Sequence, residues 1–255
     1  MRDELENIVV HQELVDGTLL YGWKSVPPLT PFAPDYAYYF TEKKIFSEEE
    51  CKEWNVYLLE QEQILLDKYR TAPVGDGGTG LGETSITSRY PHFNLLKFDF
   101  HLIPELKTKI FNGIKTILSV SDNTTWQETL YANSWFNVLR QGEMMNTHSH
   151  SYHKNSFYGF HLTINAIETF TTYYHPYANS RQSYNVPNKI GYLTLFPNFI
   201  PHGVSPNRYE TFRISIAGDI YASTWLDVED SNINKTNLVE IGTCNDNNEL
   251  LQEVK

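Results

Sequence analysis

The sequence predicts a mainly β protein, a double-sheet jelly roll preceded by N-terminal helices. From Thr129 onward, apolar and polar side chains alternate in several short runs, and alternation with a period of two is the pattern of half-buried strands. Turn residues such as Gly142 separate the runs, and many short strands of this kind are typical of a jelly roll. Before Thr129, two segments instead repeat apolar residues at helical spacing, and we expect both helices to pack along one sheet.

The N-terminal part, residues 1–128, is expected to combine an arm with the supporting helices of the same domain. Segments 18–23 and 36–40 are rich in aromatic residues and have the composition of strands. Four prolines lie between these two segments. We interpret this stretch as an arm that wraps the domain.

Two helices are predicted by local signals that follow the arm. Ser47 and Glu50 form an S-x-x-E capping box, which predicts that a helix begins at Ser47, and the apolar spacing behind it continues to Lys68. A second helix is expected over residues 101–120. Pro104 lies near the start of this helix, where proline is well tolerated.

A glycine-rich segment, Gly75 to Gly82, lies between the two predicted helices. Such a loop can hold phosphate when a strand precedes it and a helix begins after it, but no helix signal follows here. A surface loop is therefore the favoured interpretation. A lid that orders over a functional site is a third interpretation, because loops of this length are often functional.

The period-two pattern spans residues 129–226, which we expect to form the core of the jelly roll. The alternation is clearest in four segments, namely 129–138, 157–164, 190–196 and 212–221. A shorter candidate strand lies at 169–174. Beyond Trp225 the composition becomes polar. Residues 227–255 are accordingly expected to form a C-terminal tail.

The composition is compatible with one large domain. The chain has 255 residues, of which 40% are hydrophobic and 14% aromatic, so a packed core needs no disulfide support. Two cysteines are too few for a disulfide framework. The sequence contains no apolar run of membrane-spanning length, and its acidic N-terminus lacks the order of a secretion signal. We therefore expect a cytoplasmic protein. The net charge of −11 disfavours nucleic acid as the main partner.

Two histidines separated by one residue, His148 and His150, lie near the middle of the chain. In an extended segment they point to the same face, because side-chain direction repeats every second residue. Two imidazoles on one face are costly in a core unless something binds them. A third histidine, His202, follows a strand-like run that contains Phe-Pro. We interpret His148, His150 and His202 as ligands of one metal ion.

Arg213 lies eleven positions beyond His202 (213 − 202) and is interpreted as the anchor for an anionic co-substrate. Apolar residues alternate with it, so Arg213 and Ser215 point together to the other side of their strand. In a jelly roll closed around a site, that side is the interior, and a buried guanidinium there needs an anion whose geometry suits its fork, such as a carboxylate. A surface ion pair is the alternative. His161 and Tyr173 are candidates for the wall of the site or for core packing.

These motifs resemble those of the 2-oxoglutarate and Fe(II)-dependent oxygenases. The resemblance is strongest to a branch found in bacteria and phages in which H-x-H replaces the usual H-x-D/E, and it covers residues 131–222. It includes Trp135-Phe136-Asn137, the H-x-H, Ser156 to Phe160, the run from Gly191 to His202, and Arg213-Ile214-Ser215. Residues 1–128 match much more weakly.

The resemblance implies a double-stranded β-helix in which residues 129–226 are the catalytic core, with Fe(II) held between the sheets at one mouth. It implies 2-oxoglutarate and dioxygen as co-substrates. Arg213, helped by Ser215, would hold the distal carboxylate of 2-oxoglutarate, and Asn137 and Tyr131 would add neutral hydrogen bonds. The implied reaction couples oxidative decarboxylation of 2-oxoglutarate to hydroxylation of a small-molecule or protein substrate. The identity of that substrate and a homodimeric state are left open.

His150 stands where most members of the superfamily have a carboxylate. Three neutral imidazoles leave the full divalent charge on the metal, which strengthens its hold on anionic co-ligands. This departure keeps alternatives open: a zinc site, a three-histidine cupin-type metalloenzyme without 2-oxoglutarate, or a non-catalytic jelly-roll binding or structural module. His153 is an alternative to His150, but its offset of five residues from His148 places it on the opposite face of a continuing strand. Glu143 and Asp219 are candidate carboxylates, although neither of these two has the position that the family would give it.

Overall fold

The computed structural model describes residues 7–25, 36–121, 127–150, 157–176, 183–226 and 235–244. Twelve strands are present in these ranges. They are β1 (Asn7–Glu13), β2 (Leu19–Ser25), β3 (Ala37–Lys44), β4 (Glu128–Leu139), β5 (Met145–His148), β6 (Tyr158–Asn165), β7 (Phe170–Tyr174), β8 (Ser183–Pro187), β9 (Tyr192–Pro197), β10 (His202–Val204), β11 (Arg213–Ala222) and β12 (Val239–Cys244).

The described strands form two antiparallel sheets, as the double-sheet prediction requires. The larger sheet has the order β1-β2-β3-β9-β6-β11-β4-β12, and the smaller sheet has the order β5-β10-β7-β8. Neither sheet closes on itself. Aromatic side chains from both sheets, among them Phe40, Tyr173 and Phe196, pack together in the space between them.

Both predicted helices are confirmed. Helix α1 (Glu48–Lys68) begins at the capping box: the Ser47 hydroxyl accepts from the Glu50 N–H at 3.2 Å, and the Glu50 carboxylate accepts from the Ser47 N–H at 2.7 Å. Helix α2 (Ile103–Val120) has Pro104 in its first turn. A short third helix, α3 (Ser223–Leu226), follows β11. No helix in the described part of the chain has both the length and the apolar character that crossing a membrane requires.

The alternation along β11 separates the core from the site. Ile214, Ile216 and Ile220 belong to the same buried cluster as the apolar faces of α1 and α2. The residues that alternate with these isoleucines, including Arg213 and Ser215, point to the other face of the sheet and line a cavity there. The helices therefore cover one face of the larger sheet, and the smaller sheet closes over the other.

Two segments predicted as an arm and a tail contribute strands to the larger sheet. The predicted arm holds β1, β2 and β3, and β3 pairs with β9 in the centre of the sheet; its four prolines lie outside the described residues. The predicted tail is corrected at β12, which pairs with β4 and buries Ile241 and Cys244. Backbone pairing with a strand more than a hundred residues away integrates this polar segment into the domain.

Candidate metal centre

Three histidines meet at one end of the space between the sheets. His148 ends β5 and His202 begins β10, and the two are directly opposite in the antiparallel register. His150 lies two residues beyond the end of β5, where its backbone N–H donates to the Asn198 carbonyl at 3.1 Å. One ring nitrogen of each histidine lies within 4.8 Å of the other two. This separation lets small rotations of the rings bring all three onto one ion.

The sequence correctly grouped these histidines but not their secondary structure. An extended segment through His150 was expected, whereas β5 stops at His148. His148 and His150 nevertheless stack, with ring centroids 5.6 Å apart and an interplanar angle of 19°. His153, the predicted substitute for His150, lies outside the described residues. Glu143 is not a member of the cluster: its carboxylate accepts from the backbone N–H of Arg140 at 2.6 Å.

Hydrogen bonds fix which nitrogen of His148 and His202 faces the common centre. The Nδ1 of His148 lies 2.8 Å from the carbonyl oxygen of Asn146, and the Nδ1 of His202 lies 3.0 Å from that of Ile200. A carbonyl oxygen can only accept, so Nδ1 carries the proton in both rings. The Nε2 lone pair of each ring is therefore free for a metal, which is the arrangement of most protein metal sites.

His150 is oriented by a carboxylate instead of a carbonyl. Its Nδ1 lies 2.7 Å from the Oδ1 of Asp219, a residue of β11 on the larger sheet. Both side chains are largely buried, with 7% of the His150 side chain and 13% of the Asp219 side chain exposed. The Asp219 carboxylate thus occupies the far side of the ring, away from the Nε2 that faces the other two histidines.

The surroundings keep the imidazoles of His148 and His202 in the neutral form that binds metals. Burial, followed by the neighbouring His150, lowers the pKa of His148 to about 4. Burial also lowers the pKa of His202 well below its ordinary value, and His148 and His150 lower it further. At neutral pH both rings are uncharged, so a metal ion does not have to displace a proton from either ring.

A cavity of about 100 Å³ continues from the histidines to the start of β11. Its wall is polar along β4 and β11 and apolar where the sheets meet. The wall includes Asp76, Thr87, Tyr90, Asn137, His161, Thr171, Arg213, Ser215 and Asp219, together with Trp135, Met145, Phe160, Phe196, Val204 and Ala217.

Arg213 lies in this cavity with its charge unbalanced. The side chain is 2% exposed, and its Nη1 donates to the Ser215 hydroxyl at 3.1 Å. Among the described residues, no carboxylate forms an ion pair with it, and its Nε has no hydrogen-bond partner. Burial lowers the pKa of the guanidinium to about 10, so the group is still charged at neutral pH. A buried cation with an unpaired donor is a receptor for an anion.

Two neutral groups flank this arginine. Asn137 is directly opposite Ser215 in the sheet, and its Oδ1 accepts from the Thr87 hydroxyl at 2.7 Å, which leaves the amide Nδ2 as the end able to donate. His161 lines the cavity, and its Nδ1 lies 3.0 Å from the Tyr173 hydroxyl. Burial, followed by the Arg213 charge, lowers the pKa of His161 to about 3.

Tyr131 is not brought to this site. It pairs in register with Tyr221 and Glu240, near the other end of β4, and is not among the residues that line the cavity. Tyr131 and Asn137 share a strand face, but six residues of extended chain separate them by roughly 20 Å. Strand alternation predicts correctly that the Tyr131 and Asn137 side chains point to the same face of the sheet. The distance along the strand nevertheless keeps Tyr131 out of the cavity.

The glycine-rich segment packs against the metal centre. The backbone N–H of Asn146, in β5, donates to the Thr79 carbonyl at 2.7 Å, and Asp76, Gly77 and Thr79 line the cavity. The carboxylate of Asp76 accepts from the N–H groups of Gly82 at 2.8 Å and Gly78 at 3.1 Å. Because Asp76 already occupies these donors, the segment offers no phosphate cradle. Its position supports the lid interpretation.

Sequence reasoning missed the roles of Thr87, Tyr90 and Asp219. Asp219 shares the strand face of Arg213 and Ser215 by simple alternation, so its approach to the cavity was visible in the sequence. It was considered only as a direct ligand, since its contact with His150 depends on how the sheets pack. Thr87 and Tyr90 lie in a 3-10 helix, Ile86–His92, for which the sequence has no comparable signal.

Fold and site together define a double-stranded β-helix protein with a three-histidine cluster able to hold a metal ion. No protein-family model matches the chain, and no curated protein sequence matches it. Among solved structures, it is similar to the non-haem α-ketoglutarate-dependent epimerase SnoN from nogalamycin biosynthesis, with a TM-score of 0.51 and 9% identity over 80% of this chain and 91% of that one.

At 9% identity the likeness to SnoN concerns the fold alone, and it confirms the predicted double-stranded β-helix. Two other solved structures are similar with lower scores. A prolyl-4-hydroxylase from Pseudomonas putida has a TM-score of 0.46 and 11% identity, covering 71% of this chain and 91% of that chain. The non-haem α-ketoglutarate-dependent carbocyclase SnoK, also from nogalamycin biosynthesis, has a TM-score of 0.46 and 11% identity, covering 72% of this chain and 79% of that chain.

Proposed function

We propose that the protein is a non-haem Fe(II) oxygenase that couples oxidative decarboxylation of 2-oxoglutarate to hydroxylation of a substrate, and that it belongs to the H-x-H branch of that superfamily. The observation that carries the proposal is Arg213, a buried guanidinium whose Nε is unpaired in the same cavity as the three clustered histidines. A dicarboxylate fits such a cavity if one end of the molecule binds the metal at the histidines and the carboxylate at its other end binds Arg213.

The donor set fits iron. Imidazole nitrogens suit Fe, Zn, Cu and Ni, and three protein ligands on one face leave other positions for small molecules. His148, His150 and His202 would hold the ion through their Nε2 atoms, because each Nδ1 is engaged with an oxygen. Zinc satisfies the same donors, so the identity of the metal is a point for experiment.

The other end of the cavity fits the distal carboxylate of 2-oxoglutarate. Arg213 would bind it through the guanidinium edge that includes the unpaired Nε, in the charge-assisted geometry that carboxylates favour. Ser215 accepts from the Arg213 Nη1, which orients the guanidinium and leaves the serine proton for a ligand oxygen. The Asn137 amide is the neutral donor next to Ser215 in the sheet.

When bound, Fe(II) would supply the activation of dioxygen, which is the oxidant: two of its four electrons come from 2-oxoglutarate and two from the substrate, and its two atoms end in succinate and in the new hydroxyl group, with carbon dioxide as the other co-product. The chain binds and orients these groups and limits the access of water. Met145, Phe196 and Val204 supply apolar parts of the cavity wall. Asp76 and Thr79 also line the cavity, and the Thr79 carbonyl accepts from the Asn146 N–H of β5, so we expect this segment to act as a lid beside β5.

Metal and co-substrate binding are testable separately. Wild-type protein should bind Mn(II) or Fe(II) stoichiometrically under anaerobic conditions, and 2-oxoglutarate should bind only when metal is present, as measured by calorimetry. His202→Ala should lose metal, whereas Arg213→Met should keep metal and lose 2-oxoglutarate. Succinate formation with Fe(II) and oxygen then tests turnover. Equal iron binding by wild type and His202→Ala would show that the ligand set is wrong.

A second candidate is a cupin-type metalloenzyme that does not use 2-oxoglutarate. The third histidine in place of a carboxylate favours it, because three-histidine centres are compatible with other oxygen-dependent chemistry. It predicts stoichiometric metal without affinity for 2-oxoglutarate, and activity that survives Arg213→Ala. Purified protein without stoichiometric metal would instead favour a non-catalytic binding module.

A further inference from the structure

We propose that Asp219 is a positioning residue of the metal centre: it holds His150 by the Nδ1–H and places one negative charge a single imidazole ring away from the ion. In this way it stands in for the carboxylate ligand that a three-histidine centre lacks. The inference rests on the proposed metal site, and it concerns a residue that lines the same cavity but acts on the ion through the ring of His150.

The three histidines are oriented in two different ways, and this difference points to Asp219. His148 and His202 each bind the carbonyl of the residue two positions earlier, a contact that the local backbone provides. His150 binds a side chain 69 positions away on the opposite sheet. The one histidine that occupies the place of a carboxylate is thus the one that has a carboxylate behind it.

The surroundings of Asp219 direct its charge toward His150. Among the residues that the structure describes, His150 is the one basic side chain within ion-pair distance of it. Its other oxygen, Oδ2, accepts only a long hydrogen bond, 3.4 Å, from the Tyr221 hydroxyl. Both members of the His150–Asp219 pair are largely shielded from water, and a hydrogen bond to a charged group is stronger there than in solvent.

The chemical consequence follows from proton sharing across the ring. A carboxylate that accepts from Nδ1–H makes the opposite nitrogen, Nε2, a better electron donor and fixes the plane of the ring. It also offsets part of the divalent charge that three neutral ligands leave on the metal. A more positively charged oxidation state gains more from this charge, so Asp219 favours Fe(III) relative to Fe(II).

Substitutions of Asp219 separate charge from shape. Asp219→Asn keeps an oxygen that can accept from Nδ1–H but removes the charge, and Asp219→Glu keeps the charge. We expect Asp219→Asn to bind Zn(II) about 10- to 100-fold more weakly than wild type, the effect usual for such outer partners, and Asp219→Glu to recover part of the loss. Tyr221→Phe, which removes the hydrogen bond to Oδ2 alone, is the control and should bind Zn(II) like wild type.

Two further readouts are specific to charge. The potential of bound iron should rise in Asp219→Asn and stay near the wild-type value in Tyr221→Phe. In wild-type protein loaded with Zn(II), the Nδ1 proton of His150 should resonate downfield of those of His148 and His202, whose acceptors are carbonyls. This comparison within one folded protein gives an answer even if Asp219→Asn does not fold.

The outcomes distinguish this role from the proposed function. Wild-type protein that binds no metal would overturn both. Wild-type protein that binds metal, with Asp219→Asn within twofold of it and the iron potential unchanged, would overturn the role of Asp219 alone. A His150 Nδ1 proton that resonates with those of His148 and His202 would also overturn it.

Discussion

Replacing Arg213 with methionine should stabilise the ligand-free protein while abolishing its affinity for 2-oxoglutarate. Arg213 is buried, and none of the described carboxylates balances its charge. Burial lowers the pKa of the guanidinium from its ordinary value to about 10. The folded chain therefore holds this proton less tightly than the unfolded chain. The charge opposes folding at every pH below about 10, and this opposition fades as the pH rises from there towards the ordinary pKa of the group.

The size of the effect follows from the pKa. The lowering of the guanidinium pKa from its ordinary value to about 10 corresponds to about 3 kcal/mol, since one pKa unit is equivalent to about 1.4 kcal/mol. Methionine retains an unbranched apolar stem that can fill the same space. It loses the hydrogen bond to Ser215, which costs about 1 kcal/mol. The net gain in the free energy of unfolding is about 2 kcal/mol, a rise of about 4–8 °C in Tm for a chain of this size.

Thermal and urea unfolding of the metal-free protein, with and without added ligands, measure both parts of this prediction. With Mn(II) present, 2-oxoglutarate at a hundred times its Kd should stabilise wild type by about 2.7 kcal/mol and Arg213→Met not at all. Ser215→Ala is the matched control, because it keeps the buried charge and should gain no stability. The reasoning is refuted if Arg213→Met is less stable than wild type by more than about 1 kcal/mol, or if 2-oxoglutarate still stabilises it.

Three other predictions use the same unfolding measurements. Lowering the pH from 6.5 to 4.5 should cost metal-free wild type about 2 kcal/mol more than His161→Gln, because the pKa of His161 is lowered to about 3 and only the unfolded chain takes up the proton in this range; equal losses would contradict it. Ser47→Ala should lose about 1 kcal/mol through its capping box, and an unchanged urea midpoint would count against that. Gly191→Ala should lower the free energy of unfolding more than Gly142→Ala does. Both glycines have φ near +80°, a conformation that costs a residue with a side chain about 1–2 kcal/mol. Of these two positions, only Gly191 would also bring the new Cβ into the Phe46 carbonyl. Equal losses at the two glycines would remove the steric part of this account.

Elements with a local signal were predictable from the sequence. The capping box at Ser47 fixes the start of α1, and the apolar spacing predicts both long helices to within a few residues. The strands β4, β6, β9 and β11 were predicted from alternating polar and apolar residue types. In the structure only the first half of β4 alternates in burial, whereas β6, β9 and most of β11 are buried at nearly every position because both faces of the sheet are covered. Both signals act within a few neighbouring residues, so they do not depend on the rest of the fold.

Elements stabilised mainly by distant partners were not predictable. β8 (Ser183–Pro187) has one buried residue, Val186, and exists because its backbone pairs with β7. β12 lies in a polar segment whose structure depends on β4. The expectation that Tyr131 lines the cavity was wrong for a related reason. Alternation predicts the face of the sheet to which a side chain points, but the position of the cavity along the strand is set by where the two sheets meet.

The pair His148 and His150 shows which property of the site could not be predicted from the sequence, namely how the second histidine is held in place. A strand through His150 would have placed His148 and His150 on one face by backbone geometry alone, yet β5 ends at His148. His150 is held instead by the backbone N–H to Asn198 and by the side chain of Asp219, both supplied by other parts of the fold. The H-x-H pattern therefore identifies two histidines of the proposed metal centre, whereas the orientation of the second one depends on a carboxylate that lies far away in the sequence.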